Sequence, residues 1–400
     1  MTTPTDNAGP LEGIRVIDAS RVLAAPFAAS MLADLGAEVI HLEHPGQIEE
    51  LRTWQPVVNG VSASHFALNH SKLGLAVDIA HPEGQAILRK LLETSDVFIE
   101  NFRPGMLERH GFGWDRLQEI NPRLIYCSVR AFARGCAAES LPGYEASLQA
   151  YTGVMDMTGE ADGDPVRCGP SAIDFGTGLS AVVAITSALL QRERTGRGSH
   201  VEPALVRTAA HFMSYQISSY FMGGVKPQRR GSSHAALVPY RVFNSSDGPL
   251  FIAAGNDKLW PLLVGVLGLL DEAGNVPFPL LAERLSHRAE VDRMVADAVG
   301  KISREQLLAT FKAEGIPAAP VNTLAEFVDD ETLYRARVLE TMDVPEGGST
   351  TIPGPLFGAG FLQPTRRPAP HVGQHTSDVL AGIGLDEEAQ ARLRADGVIR

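Results

Sequence analysis

The residue best placed to do chemistry in this 400-residue chain is Asp174, set in the run Gly169-Pro170-Ser171-Ala172-Ile173-Asp174-Phe175-Gly176-Thr177-Gly178. An apolar helical stretch, Leu179 to Leu190, follows it. A carboxylate here has two readings. As an N-cap, its short acceptor satisfies orphan backbone donors and suits the positive end of the helix. As a nucleophile, it can attack an activated acyl carbon and hold the acyl group covalently. Position alone favours the cap.

The remaining chemistry-bearing residue types form no second constellation. Cys127, Cys136 and Cys168 are too few and too irregularly placed for a disulfide framework or a CxxC metal site. His65, His70 and His81 have no carboxylate or cysteine at metal-ligand spacing, and Pro368 and Gly373 interrupt any helical face shared by His371 and His375. No metal is therefore expected. Trp54, Trp114 and Trp260 read as packing residues.

The elements that must position Asp174 follow an α/β rhythm. Ile14 to Ile17 reads as a strand, Pro26 to Leu35 as a helix of small residues closed by Gly36, and Val39 to Leu42 as the next strand. Further strands are expected at Leu75–Val77, Val97–Ile99 and Leu124–Val129, with a helix at Pro82–Glu93. This is a doubly wound pattern. The first strand-to-helix turn, Asp18 to Pro26, has no glycine, so backbone cannot approach a pyrophosphate as in a dehydrogenase. A dehydrogenase would rest on fold alone.

The sequence divides into 1–224, a large α/β domain; 225–343, a smaller appended domain whose stretch from Phe251 to Ala325 reads as mainly helical; and 344–400, a turn-rich linker followed by a segment returning to the large domain. The linker composition lies in Val344 to Pro355, and a short polar helix is expected around Glu387 to Ala395. A formal charge of -12 disfavours nucleic acid and anionic membranes as partners. Met1 to Pro10 is polar, and no stretch reads as a membrane span, so a soluble cytoplasmic protein is expected.

Several separated blocks together resemble the class III CoA-transferases, the CaiB/BaiF type that includes the formyl-CoA transferases. They are Gly36-Ala37-Glu38-Val39-Ile40, Glu100-Asn101-Phe102-Arg103-Pro104-Gly105, Asn121 to Tyr126, Gly143-Tyr144-Glu145, the Asp174 run with Arg194-Thr195-Gly196-Arg197-Gly198, Ala254-Gly255-Asn256-Asp257, Gly315 to Val321 and Gly373-Gln374-His375-Thr376. The resemblance spans Leu11 to Val398. It implies a Rossmann-like large domain with a smaller appended α/β domain, in an interlocked homodimer. It also implies transfer of CoA from an acyl-CoA thioester to a free carboxylic acid through aspartyl mixed-anhydride and aspartyl-CoA intermediates, with Asp174 as nucleophile. CoA would be a substrate, with no permanently bound cofactor.

By the same resemblance, Leu23, Ala24, His44 and Val77, Asp78, Ile79 and Ala80 line the nucleotide. Asn101, Phe102, Arg103 and Arg109 meet phosphates, adenine or pantetheine, and Tyr144 and Glu145 border the reacting thioester. For Arg109 a solvated loop residue is the stronger plain reading. An α-methylacyl-CoA racemase is the nearest rival, but Tyr144 stands where those enzymes carry a histidine, and tyrosine is a weak base at neutral pH. An inactive CoA-binding homologue is the third reading. Some formyl- and oxalate-directed relatives carry consecutive glycines where this chain reads Ile252 to Asp257, and a glutamine where Leu23 stands. A larger or more apolar acid is thus expected, with Arg229 and Arg230 as possible partners for a second carboxylate or simply a solvated turn.

Overall fold

The computed structural model describes residues 9–345, 347–358 and 364–400. The polar N-terminal segment 1–8 lies outside them. The chain forms two compact units, one made of residues up to Val154, Cys168–Gly223 and Glu331–Arg400, the other of Met155–Arg167 and Gly224–Asp330.

The first unit is built on a six-stranded parallel sheet. Its strands are β1 (Arg15–Asp18), β2 (Glu38–Glu43), β3 (Leu73–Ala76), β4 (Val97–Glu100), β5 (Ile125–Ser128) and β6 (His200–Val201), in the spatial order β3-β2-β1-β4-β5-β6. Strands covered on both faces must be apolar throughout, and Val16, Ile17, Val97, Phe98, Ile99, Ile125 and Cys127 are all fully buried. The order reverses between β1 and β4, the place where such sheets open a crevice beyond their carboxyl ends.

Helix α1 (Ala24–Asp34) follows β1 and is almost wholly buried, which its run of Ala, Ser and other compact side chains permits. Gly36 lies just beyond it at φ +101°, where a side chain would be strained. Helix α2 (Ala172–Thr195) packs along α1. A Cβ on Gly178 would lie 2.6 Å from the Ala24 carbonyl oxygen, and one on Gly176 would lie 2.4 Å from the Phe212 ring. The two glycines after Asp174 thus serve close helix packing. Phe27 and Phe175 meet edge to face at 4.9 Å across the same seam.

Helix α2 is long and apolar enough to cross a membrane by length and composition, contrary to the sequence reading. Here its Ile173, Ala181, Val182, Ile185 and Leu189 belong to the core beneath the sheet. Two helices follow the sheet's last strand, α3 (Leu205–Phe212) and α4 (Ser214–Gly223).

The division departs from the sequence reading in three places. Residues 155–167 join the second unit, where Arg229 bonds the Asp156 carbonyl and carboxylate and Gly231 N–H donates to Gly159. Residues 331–343 join the first unit. The stretch read as linker forms half of an antiparallel hairpin, β7 (Leu339–Asp343) with β8 (Ser349–Pro353), whose Met342 and Ile352 pack on Phe66. The terminal helix runs Glu387–Ala395 as expected.

The second unit is α/β, with the stretch from Phe251 to Ala325 mainly helical. Strands β9 (Tyr240–Asn244), β10 (Pro249–Ala253) and β11 (Ala318–Pro320) form an antiparallel sheet with β10 central. Helices Trp260–Leu267, Arg288–Val299 and Arg304–Ala313 supply its core residues Trp260, Leu263, Val291, Val295, Leu307 and Phe311.

Candidate active site

Asp174 lies inside the first turn of α2, three residues after the N-cap Ser171, and is not itself the cap. The Ser171 side chain makes no capping bond. A more distant carboxylate does that work: Glu145 Oε1 accepts from the Ile173 N–H at 3.4 Å and from Gln149 Nε2 at 2.6 Å. Glu145 is buried, so it ties the start of α2 to the helix Glu145–Thr152. The position within the first turn favours Asp174 as an anion.

Asp174 opens into a cavity of about 290 Å³ beyond the carboxyl ends of β1, β4 and β5. Its walls include Val22, Leu23 and Ala24 from the turn after β1, Asn101, Phe102 and Arg103 after β4, and Arg130 after β5. Tyr144 and Glu145 complete the wall on Asp174's side. The residues expected around the reacting thioester and the nearer part of the nucleotide are therefore brought together. Tyr144 is 64% exposed, with its ring free to be covered by a ligand.

Three arginines reach this cavity and differ in their freedom. Arg130 is held by Glu100 at 2.9 Å and by the Phe102 carbonyl, and Arg21 donates to the carbonyls of Ser20 and Leu42, both at 2.8 Å. Arg103 is exposed and has no such partner among the described residues.

The structure does not bring the other expected residues to this cavity. His44 follows β2 and lies 3.7 Å from Asp78 after β3. Val77 is buried behind the C-terminal segment, bridged to Ile399, with Asp78 N–H donating to the Val398 carbonyl. Ile79 and Ala80 continue from there, at the same carboxyl edge of the sheet but away from Asp174. Arg109 is exposed beside Gly105. In the second unit, Arg229 is engaged by Asp156.

Behind the turn after β1 lies a buried ionic network that sequence reasoning missed. Asp18 Oδ2 is 2.8 Å from Lys72 Nζ and 3.1 Å from His41 Nδ1, and His41 Nε2 is 3.1 Å from Glu49 Oε2. Lys72 also donates to the Pro26 carbonyl in α1 and to Asn69. Burial opposes charge on His41, but Asp18 and Glu49 on its two nitrogens push it up to about 9. Burial likewise opposes ionisation of Glu49, which His41 nevertheless holds down at about 2. Burial and the Arg52 charge push His65 down to about 2, leaving a neutral imidazole. The signal in the sequence was a polar residue at an inward position of each apolar strand, Asp18 in β1 and His41 in β2.

Ligand atoms of His41, Glu43, Glu49 and His65 lie within 4.8 Å of one another, a donor set of the kind that holds a metal ion. Their charges are already matched. Glu43 is gripped in bidentate fashion by Arg52 at 2.6 and 2.7 Å, and the carboxylates Asp18, Glu43 and Glu49 face Lys72, Arg52 and protonated His41.

This fold, a parallel α/β sheet with a carboxylate presented at its switch point, places the cavity where open α/β sheets bind ligands. The model of CoA-transferase family III matches residues 11–376, and the chain belongs to that family. It is 35% identical to succinyl-CoA:glutarate CoA-transferase of Mus musculus, over 98% of this chain and 91% of that protein. It is 34% identical to succinate–glutarate CoA-transferase of Agrobacterium fabrum, over 96% and 98%. A crystal structure of a CaiB/BaiF family protein from Brucella suis superposes with a TM-score of 0.82 at 33% identity, covering 94% of this chain and all of that one. The chain is a CoA-transferase.

Proposed function

We propose that the enzyme exchanges CoA between two carboxylic acids with Asp174 as nucleophile, and that the acids are short dicarboxylates such as succinate and glutarate. The Asp174 carboxylate attacks the thioester carbonyl; a C–O bond forms, the C–S bond breaks, and CoA leaves as thiolate. The thiolate attacks the aspartyl carbonyl of the mixed anhydride, releasing the first acid as carboxylate and leaving an aspartyl-CoA thioester. The acceptor carboxylate then reverses both steps. Each intermediate conserves acyl activation, so no other energy source enters. Water competes throughout, so the cavity must close over it.

The observation that carries this reading is Asp174 at the mouth of the cavity, in a helix first turn braced by Glu145. Leu23, Ala24, Phe102 and Arg103 would contact the pantetheine and phosphates of CoA, with Arg103 the guanidinium free to meet an anion. His44, Asp78, Ile79, Ala80 and Arg109 would serve only the far end of the nucleotide. The dicarboxylate choice rests on the substrates named for the mouse and Agrobacterium relatives. Against the racemase reading, no histidine is among the described residues lining the cavity.

A second copy of the chain would cover an apolar surface on the first unit. Helix α4 buries none of its residues, Phe221 and Met222 are 80% and 90% exposed, and α2 exposes Val183 and Leu190. The three free thiols suit a reducing compartment such as the cytoplasm.

The test is the mass of the Asp174 peptide after incubation with succinyl-CoA and a mild acid quench. A gain of CoA mass on Asp174, absent from Asp174→Ala, supports the mechanism. If no thioester of a short, branched or dicarboxylic acid gives a gain, and 2-methylacyl-CoA exchanges its α-proton in D2O, the racemase reading replaces it.

A further inference from the structure

Val22 is a β-branched residue held at φ +68°, in the first turn of the cavity wall. That region is disfavoured for any residue with a side chain, and most of all for one branched at Cβ. Such a conformation persists only where its surroundings over-determine it. The constraint is visible one residue earlier. The Asn101 side chain grips the Arg21 main chain from both sides, Oδ1 accepting from the Arg21 N–H at 2.9 Å and Nδ2 donating to the Arg21 carbonyl at 2.8 Å. The pair imitates one rung of a sheet ladder, laid between the end of β4 and the turn after β1.

The Arg21 side chain secures the same turn from the other side. It donates to the carbonyls of Ala19, Ser20 and Leu42, and its guanidinium lies 5.7 Å from the centre of the Phe102 ring. Beneath it, Lys72 joins Asp18 at the end of β1 to the Pro26 carbonyl in α1. Both ends of the segment 19–26 are thus fixed, and the distortion falls on Val22.

The residues that follow have unspent donors. Among the described residues, the main-chain N–H groups of Val22, Leu23 and Ala24 donate to no protein acceptor, and all three residues line the cavity that holds Asp174. Each step of the transfer proposed above passes through a tetrahedral oxyanion, which fixed N–H donors stabilise most when they need no reorganisation.

We infer that Asn101 is a positioning residue: by pinning the Arg21 main chain it holds Val22 in its left-handed conformation and presents the donors of Val22–Ala24 to the reacting acyl group. It acts through Arg21 and not through the nucleotide. The inference rests on the transferase reading, since it assigns those donors to that reaction's oxyanion. It also explains how a first turn without glycine approaches a ligand closely: side-chain clamps hold a conformation that glycine would adopt freely.

The test exploits that equivalence. Asn101→Ala is expected to lower kcat for CoA transfer by about 100-fold while KM for the acyl-CoA moves by less than about threefold, the pattern of a contact made only in the transition state. Asn101→Asp, which keeps the acceptor and loses the donor, is expected to fall between. Adding Val22→Gly to Asn101→Ala should recover at least about tenfold of the loss, because glycine reaches φ +68° without a clamp. Hydrogen exchange of the Arg21 amide, whose acceptor is Asn101 Oδ1, should rise in Asn101→Ala. A raised KM with unchanged kcat, or a loss that Val22→Gly does not recover, overturns the inference. Should the wild type transfer CoA to no acid, the transferase reading fails instead; the exchange pattern then shows whether the clamp is real, and unchanged exchange in Asn101→Ala refutes it.

Discussion

Each unit of this protein buries a cation completely, and the two solve the problem by different physics. In the first unit Lys72 is neutralised by charge, with Asp18 at 2.8 Å and the linked His41 and Glu49 beyond it. In the second, Arg284 is fully buried among dipoles: it donates to the carbonyls of Val238, Gly255, Phe278 and Pro279 at 2.8 to 3.1 Å and stacks over Trp260. Its one carboxylate, Asp257, is 53% exposed and adds little beyond a bond at the rim. Carbonyl dipoles cannot titrate, whereas a lattice of carboxylates, imidazole and ammonium can. The first arrangement links two strands and the turn that walls the active site, and the second closes a small core around the 253–257 segment.

The largest expected effect separates them. Arg284→Met leaves the buried carbonyls of Val238 and Gly255, and those of half-buried Phe278 and exposed Pro279, without this donor and should destabilise the second unit by about 4 kcal/mol, by the same amount at pH 6 and pH 9. Lys72→Met leaves Asp18 with protonated His41 still beside it, so the expected cost is smaller, about 3 kcal/mol, and should grow as the pH rises past about 9 and His41 loses its proton. Calorimetry of both variants at the two pH values checks this. Equal pH dependence in the two would erase the distinction between charge and dipole.

The pH response of the wild type sharpens the same contrast. His41 is raised from 6.5 to about 9, so the stability it contributes is complete below about 6.5 and is lost as the pH rises through 9. His65 and His70 are lowered to about 2 and about 3, so the unfolded chain takes up their protons first as the pH falls below 6.5. Each then costs about 1.4 kcal/mol per pH unit. The first unit should therefore be most stable near pH 6.5 and weaken on both sides, progressively from there up to about 9 on the alkaline side. Hydrogen exchange resolved by segment should show the loss in β1, β2 and 62–72 and not in β9–β11. Uniform weakening of both units would show that the network is not its source.

How much of this was legible follows from which forces are local. Parallel strands announce themselves as apolar runs, and β1 to β5 stand within two residues of their sequence positions. Asp174, Tyr144, Glu145 and the Asn101–Arg103 run could be read from motif context. The capping role of Glu145 could not, because it joins residues 28 apart through a single bond to a backbone donor. The clamp on Arg21 spans 80 residues and the contact of Lys72 with Asp18 spans 54; no local pattern encodes either. The hairpin at 339–353 was hidden for the opposite reason. Pro345, Gly347 and Gly348 mark a turn equally well in a linker and in a hairpin, and only Met342 and Ile352 meeting Phe66 decide between them.

The smallest effect isolates the aromatic part of the Arg284 site. Trp260 is fully buried, its Nε1–H donates to the Pro277 carbonyl at 2.7 Å, and its ring centre lies 5.6 Å from the Arg284 guanidinium carbon. Trp260→Phe keeps an aromatic face and most of the volume but removes the N–H donor, leaving the half-buried Pro277 carbonyl without it, which should cost about 1 to 2 kcal/mol. If dipoles and the ring share the guanidinium, Trp260→Phe should cost measurably less in an Arg284→Met background, by about 0.5 to 1 kcal/mol, since the cation that the ring faces is then gone. Additivity within about 0.3 kcal/mol would assign the whole burial of Arg284 to the carbonyls and Asp257. The buried cation of the second unit would then be held by main-chain oxygens and the rim carboxylate of Asp257, with no share from the ring, in contrast with the titratable lattice around Lys72.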